Sequence, residues 1–88
     1  MSWVYRFDGR ALRELKKLGH QAQHDIINYL DERVAGEADP RRFGKTLKAD
    51  LAGLWRYRVA NYRIVCQIRD LELLVLVVAV GHREDIYK

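Results

Sequence analysis

The sequence of 88 residues has one cysteine, one proline and six glycines, and these low counts exclude several classes of protein. A single thiol, Cys66, forms neither an internal disulfide nor a multi-cysteine metal site, which favours a reducing compartment and predicts a cytoplasmic protein. The scarcity of proline and glycine, together with 49% hydrophobic residues, excludes a disordered chain or linker. The composition predicts one folded domain spanning residues 1–88.

Long hydrophobic runs are also absent. The longest apolar run, residues 73–80, has 8 residues, whereas a membrane-spanning helix needs about 20. The opening stretch MSWVYR has no basic region followed by an apolar segment, so no signal peptide is expected. His20 and His24 lie one helical turn apart. Because no carboxylate or cysteine pattern accompanies them, they are only weak evidence for a metal site. We therefore expect a soluble protein without membrane attachment.

Positive charge is concentrated in the second half of the chain. Residues 1–40 hold 6 Lys and Arg against 7 Asp and Glu, whereas residues 41–88 hold 10 against 5. An asymmetry of this kind in a small domain points to a polyanionic partner, either nucleic acid or an acidic protein segment. The alternative is a solvated basic surface without a partner.

Hydrophobic periodicity predicts the element order β-α-α-β-β-β. Alternation over residues 3–7 is typical of a strand, and Asp8 is a suitable N-cap for an amphipathic helix that Gly19 ends. A second helix is predicted over residues 21–35, followed by an ordered connector over residues 37–53. Three further strands are predicted over residues 54–59, 62–69 and 72–80.

These elements predict an α+β fold, in which two N-terminal helices pack on one face of a small four-stranded, mostly antiparallel sheet. The last strand is apolar without polar alternation, which predicts an interior strand covered on both faces. The rest of the sheet face opposite the helices is expected to be partly open.

The central hairpin is predicted to separate apolar and basic residues onto opposite faces. If Ala60-Asn61 is its two-residue turn, Arg58 lies directly opposite Arg63. Like charges with Cβ atoms about 5 Å apart destabilise a sheet, so this pair favours an anion bound between the two guanidiniums. Guanidinium groups match phosphate oxygens bidentately and keep their charge. The polar residues predicted on this face are Arg56, Arg58, Arg63, Gln67 and Arg69.

The C-terminal segment adds residue types that carry chemistry. His82, Arg83 and Tyr87 place an imidazole, a guanidinium and a phenol close together in the sequence. Histidine transfers protons near neutral pH, and tyrosine stacks on a base or hydrogen-bonds a reacting hydroxyl. Simpler interpretations are a surface histidine, a tyrosine that caps the sheet, and an arginine-bearing face that is solvated beside acidic loop residues.

Three parts of the chain resemble the RelE branch of the RelE/ParE toxin superfamily. FDGRALRELKKL, residues 7–18, is similar to the family's first strand-to-helix junction. LWRYRV and YRIV, residues 54–59 and 62–65, resemble its central hairpin, and VGHR with IY, residues 80–83 and 86–87, resembles its C-terminal signature. The resemblance implies a RelE-like microbial RNase fold and a ribosome-dependent mRNA endonuclease, the toxin of a type II toxin–antitoxin pair, which cuts message in the ribosomal A site.

The resemblance also implies roles for individual residues. Arg56 and Arg58 match positions, usually lysine in the family, that bind and polarise the scissile phosphate, and Arg63 matches an arginine that stabilises the transition state. Arg83 matches a residue near the leaving 5′-oxygen, and Tyr87 one that orients a base near the attacking 2′-hydroxyl. Arg63 and Arg83 are expected to be exposed and unpaired. The implied reaction gives a 2′,3′-cyclic phosphate without a metal or other cofactor.

The general base is open at this stage. The family pattern has a lysine at the second hairpin position that has been considered as the base, but Arg58 cannot release a proton at neutral pH. His82, Tyr87 or ribosomal RNA are the alternatives, as is a largely electrostatic mechanism. The predicted catalytic residues are Arg58, Arg63, His82, Arg83 and Tyr87, and the residues predicted to bind RNA phosphates are Lys45, Lys48, Arg56, Arg58 and Arg69.

The implied partners are a RelB-like antitoxin with an acidic helical segment, and the ribosome with its mRNA. Promoter DNA would be bound only through the antitoxin. Two alternatives stay open: a ParE-like toxin of the same fold that inhibits DNA gyrase by binding it, and an inactive relative that only binds its antitoxin. A gyrase-binding toxin does not need the whole predicted site, which favours the nuclease.

Overall fold

The computed structural model describes residues 1–48 and 52–82. There the elements follow the predicted order, with one short strand added. The helical elements are α1 (Gly9–Lys16), α2 (His20–Tyr29), a π-helical turn that continues α2 (Leu30–Val34), and 3-10 turns at Pro40–Arg42 and Asp70–Glu72. The strands are β1 (Val4–Phe7), β2 (Lys45–Thr46), β3 (Trp55–Val59), β4 (Tyr62–Arg69) and β5 (Leu74–His82).

The two N-terminal helices form where the sequence predicts them. Asp8 caps α1, because its carboxylate accepts a hydrogen bond from the Ala11 amide at 2.8 Å and satisfies an otherwise unpaired donor. The predicted second helix, residues 21–35, corresponds to α2 together with the π-helical turn. That turn closes with the Ala35 amide donating to the Leu30 carbonyl at 2.9 Å. None of the described helices is long and apolar enough to cross a membrane.

The sheet has five strands in the order β1-β5-β4-β3-β2, so the predicted count of four is one too few. β1 pairs with β5 in parallel, and the other pairs are antiparallel, as predicted for a mostly antiparallel sheet. The added strand, β2, lies inside the predicted connector. Its Lys45 pairs with Arg56 and its Thr46 with Trp55. A strand of two residues is too short to give a periodic pattern, which is why the sequence does not reveal it.

The register of the central hairpin confirms the predicted turn. Val59 pairs with Tyr62, and Arg58 pairs with Arg63. Ala60 has φ 52°, in the left-handed region that two-residue hairpin turns require. The two arginines are therefore direct cross-strand neighbours.

β5 is an interior strand, as predicted, but only one of its faces is fully covered. Val75 and Val77 are buried against the helices, whereas Leu74 and Leu76, on the opposite face, are half-buried. The prediction that both faces are covered is therefore wrong. Alternating burial along the strand matches helices packed on a single side of the sheet.

A β-bulge in β5 changes which face the end of this strand presents. Val65 pairs with Ala79 but Cys66 pairs with Val77, so Val78 is an extra residue. Beyond the bulge, the Val80 amide donates to the Glu14 carboxylate of α1 at 2.9 Å, which replaces the strand partner that β1 is too short to supply. The residues that follow are shifted by one position relative to a regular strand.

The core lies between the two helices and the sheet. Tyr57 is fully buried there, and its hydroxyl donates to the Pro40 carbonyl at 2.7 Å, which fastens the connector to β3. Burial raises the pKa of the Cys66 thiol, which keeps it protonated and unreactive. The other buried apolar residues of the cluster include Ala11, Leu15, Ile26, Leu30, Val34, Ile64, Val75 and Val77.

Candidate phosphate-binding site

The sheet face opposite the helices carries a group of four cations, Lys45, Arg56, Arg58 and Arg63, here called the arginine face. Lys45 pairs with Arg56 and Arg58 pairs with Arg63, so the face contains two like-charged cross-strand pairs. Such pairs are destabilising when no anion is present. By the alternation of the strands, none of the described strand residues on this face is Asp, Glu or His.

The four side chains differ in exposure. Lys45 and Arg58 are exposed, and Arg56 is half-buried with its Nε out of contact with water and without a hydrogen-bond partner. Arg63 is only 5% exposed and has a partner, so the expectation that it is exposed and unpaired is wrong. The physical reason is its place on β4, the central strand, where neighbouring strands flank its side chain on both sides.

Two other predicted phosphate-binding residues lie apart from the arginine face. Arg69 is at the far end of β4, six residues and about 20 Å along the strand from Arg63. Its guanidinium donates to the Gln67 side chain at 3.1 Å and contacts Glu72 at 3.6 Å. Lys48 is exposed in the segment that follows β2. Of the five residues predicted to bind RNA phosphates, Lys45, Arg56 and Arg58 belong to the arginine face.

The predicted catalytic residue His82 lies on the other side of the sheet. It pairs with Tyr62, so the two side chains share the helix-bearing face, and their ring centres are 4.7 Å apart. The β-bulge produces this placement. If the register of Cys66 with Val77 continued without the bulge, Val80 would pair with Arg63 and His82 would lie on the face of the arginines, whereas in the structure Gly81 pairs with Arg63. Arg83 and Tyr87 lie outside the described residues.

A cavity that the sequence does not reveal opens at the β2 edge of the sheet, next to the arginine face. This edge cavity has a volume of about 290 Å³. Burial raises the pKa of its Tyr29, which keeps this phenol protonated near neutral pH. Phe43 is an isolated apolar residue of the connector, and no sequence signal joins it to α2. The residues that line the edge cavity are Tyr29, Phe43, Gly44, Lys45, Arg56 and Arg58.

Metal-binding groups are not found in residues 1–48 and 52–82, where no three His, Cys, Asp or Glu side chains cluster. His24 instead contacts the Asn28 side chain at 3.0 Å on the exposed side of α2. The side chains of the arginine face themselves supply fixed positive charge.

The family comparison decides what kind of protein carries this site. The model for the ParE toxin of type II toxin–antitoxin system, parDE, matches residues 5–87. The chain belongs to this toxin family. Toxin RelG of Mycobacterium tuberculosis is 33% identical over 88 residues, covering 100% of this chain and 99% of RelG. The mRNA interferase toxin RelE of Escherichia coli is 33% identical over 86 residues, covering 96% and 86% of the two chains.

A solved structure confirms the RelE-like fold of this ParE-family toxin. The toxin–antitoxin complex RelBE2 from Mycobacterium tuberculosis contains a chain that superposes with a TM-score of 0.83 at 29% identity, covering 97% of this chain and 95% of that one. The predicted membership of the RelE/ParE superfamily is thus confirmed. The protein is a toxin of a type II toxin–antitoxin system.

Proposed function

We propose that this toxin is a ribosome-dependent mRNA endoribonuclease that cleaves message in the A site. The observation that carries the proposal is the arginine face, where Lys45 lies opposite Arg56 and Arg58 lies opposite Arg63, and where Lys45, Arg56 and Arg58 form no ion pair with a described residue. RNA phosphate between these cations would relieve their repulsion. The similarity to RelE of Escherichia coli, an mRNA interferase toxin, supports the same conclusion.

The proposed reaction is attack of a ribose 2′-hydroxyl on the adjacent phosphorus. The bond from phosphorus to the 5′-oxygen breaks, and the leaving oxygen takes a proton from water, which gives a 2′,3′-cyclic phosphate and a 5′-hydroxyl. Arg56 and Arg58 bind the phosphate, and Arg63, held rigidly on the central strand, stabilises the charge that builds up in the transition state. Arg83 would act at the leaving oxygen, and Tyr87 would orient a nucleobase near the attacking 2′-hydroxyl, as the resemblance implies.

The fixed charges supply most of the catalysis in this proposal. Arg58 cannot accept the 2′-hydroxyl proton, and the strand alternation turns His82 away from the arginine face. We therefore assign no proton transfer to His82. The proton goes to Tyr87 or to ribosomal RNA, while pre-oriented guanidiniums stabilise the developing negative charge.

We propose that the inhibiting partner is a RelB-like antitoxin with an acidic helical segment. The open sheet face offers it an apolar strip on β1 and β5, since Val4 is exposed and Leu74 and Leu76 are half-buried, and the cations of the arginine face lie farther along the same face. The RelBE2 complex shows that a chain of this fold is found with an antitoxin. Promoter DNA would be bound through the antitoxin alone. The toxin would act in the cytoplasm, where ribosomes and message are present.

Primer extension on a defined mRNA tests the proposal, with the purified toxin added with and without ribosomes that hold an empty A site. Cleavage is expected only with ribosomes, and Arg56→Ala is expected to lower it at least tenfold. Arg13→Ala, which removes an exposed charge from α1, is the matched control and should cleave normally. Arg63→Ala and Arg83→Ala are also expected to lose at least tenfold. Cleavage by Arg56→Ala at the rate of the unmodified toxin would refute the site.

Inhibition of DNA gyrase is the second candidate function, and the match to the ParE toxin model favours it. A supercoiling assay with purified gyrase separates the two. The nuclease proposal predicts no inhibition at toxin concentrations that cleave ribosome-bound message. Gyrase inhibition without mRNA cleavage would replace the nuclease by this second function.

A further inference from the structure

The backbone beside the edge cavity packs closely against β3. The Trp55 indole donates to the Phe43 carbonyl at 2.8 Å. Gly44 has φ +82° and passes so close to β3 that a Cβ there would collide with the Arg56 carbonyl oxygen. Only glycine fits this position, because both the backbone conformation and the contact exclude a side chain. The wall that carries Phe43 is therefore fixed against β3.

Aromatic rings and guanidiniums meet at this cavity. The Arg33 guanidinium lies 5.7 Å from the ring centre of Tyr29 and 5.1 Å from that of Phe43. The Arg42 guanidinium lies 5.0 Å from the Phe43 ring centre. At such distances the ring face attracts the cation. Both arginines are exposed, so the rings rather than carboxylates position them.

The charge around the cavity is of one sign. Lys45, Arg56 and Arg58 line it, and no carboxylate of residues 1–48 and 52–82 does. Arg33 and Arg42 contact the rings of the lining, and none of these five cations forms an ion pair with a described residue. The Arg56 Nε is a buried donor without an acceptor. An occupant that fits has an anionic group for the cations and a flat group for the rings.

We propose that the edge cavity binds one nucleotide of single-stranded RNA, next to the phosphate held on the arginine face. The phosphate of this nucleotide contacts Lys45 and Arg56, and its base stacks on Phe43, as bases do on aromatic rings. A volume of about 290 Å³ is at the small end of ligand pockets, which suits one nucleotide. An acidic peptide would use the cations but leave the rings without a stacking partner.

This inference rests on the proposed function in one respect, that the substrate is RNA. Its test therefore measures nucleotide binding, without ribosomes and without cleavage. The ¹⁵N-labelled full chain is titrated with each of the four nucleoside 5′-monophosphates, with inorganic phosphate and with hexaglutamate. The signals of the Gly44 amide and the Trp55 indole report binding at the cavity. We expect at least one nucleotide to shift both signals and to bind at least fivefold more tightly than inorganic phosphate.

Two variants separate stacking from charge. Phe43→Leu keeps apolar packing but removes the ring, so nucleotide affinity should fall at least fivefold while phosphate affinity stays unchanged. Should that variant fail to fold, Arg42→Gln, at an exposed position, is expected to weaken nucleotide binding at least twofold. Arg13→Ala is the control of equal charge change and should bind as the unmodified chain does.

Three results overturn the inference: equal affinity for nucleotides and inorganic phosphate, shifts confined to residues away from Gly44 and Trp55, or tighter binding of hexaglutamate than of every nucleotide at the cavity. The last result would assign the cavity to an acidic protein partner. Nucleotide binding at the cavity by a toxin that does not cleave mRNA would refute only the proposed function. Cleavage by a toxin whose cavity binds no nucleotide would refute only this inference.

Discussion

Arg41 differs from the arginines of the arginine face in the charge of its neighbours. Arg41 donates to both carboxylate oxygens of Asp70, at 2.9 and 2.8 Å, and so ties the connector before β2 to the turn after β4. Arg56 and Arg58 lie opposite other cations, and neither forms an ion pair with a described residue. The paired arginine stabilises the free protein, whereas the arginine face lowers its stability in the absence of an anion.

The difference shows that the role of an arginine here follows from its partners and not from its exposure. Arg41 and Arg58 are both on the surface, yet among the described residues only Arg41 has a carboxylate within reach. If Arg41 and Arg58 both served to stabilise the fold, a carboxylate would be expected beside each of them. This contrast supports our proposal that the arginine face binds an anion.

The largest effect is expected from removing two charges of the arginine face together. The double variant Arg56→Ala/Arg58→Ala should bind a short single-stranded RNA at least 100-fold more weakly at low salt. It should also lower the slope of log affinity against log salt concentration by about 1.4, because roughly 0.7 counterions are released per phosphate contact on a single strand. Fluorescence anisotropy at several salt concentrations measures both. An unchanged slope would show that these cations do not contact phosphates.

The paired arginine should give the reverse result. Arg41→Ala removes the two-pronged contact to Asp70, and the melting temperature should fall by about 3 °C. RNA affinity should stay within twofold of the unmodified toxin. Thermal unfolding followed by circular dichroism, together with the same anisotropy assay, checks both halves. Loss of RNA affinity equal to that of the double variant would remove the distinction between the two groups.

The single variant Arg58→Ala should stabilise the free toxin slightly. It relieves the repulsion with Arg63 across the hairpin, which is worth about 0.5 kcal/mol. For a domain of this size the melting temperature should rise by roughly 2–4 °C. A clear fall in melting temperature would mean that the contacts of Arg58 stabilise the fold by more than its repulsion with Arg63 destabilises it.

The smallest effect concerns pH. The hydrogen bond from Arg41 lowers the pKa of Asp70 below its ordinary value of 3.8. A carboxylate with a lowered pKa in the folded state stabilises the fold above its unfolded pKa and loses that contribution as the pH falls through the folded value. Asp70→Asn should therefore lower the melting temperature at pH 7 more than at pH 3. Equal differences at both pH values would exclude a contribution from this ion pair.

The elements with strong local signals could be predicted from the sequence. The bounds of β4 agree with residues 62–69 as predicted, because alternation and a two-residue turn fix both the strand and its register. The Asp8 cap is likewise a local feature. Such local signals are sufficient to place Arg58 opposite Arg63, the pair on which the arginine face is built.

The parts that depend on distant contacts could not be predicted. An unbroken apolar run gives no sign of the bulge at Val78, so the face of His82 could not be assigned. The burial of Arg63 follows from the strand order, which puts β4 in the middle of five strands. The edge cavity joins α2, the connector and β3, and no sequence pattern links residues so far apart in the chain.

The central claim is that the cations of the arginine face serve RNA cleavage and the paired ones serve the fold. Its most direct test is the rate of ribosome-dependent mRNA cleavage by Arg58→Ala and Arg41→Ala, measured side by side below the melting temperature of both. The account predicts at least a tenfold loss for Arg58→Ala and less than a twofold change for Arg41→Ala. Equal rates for the two variants would contradict it.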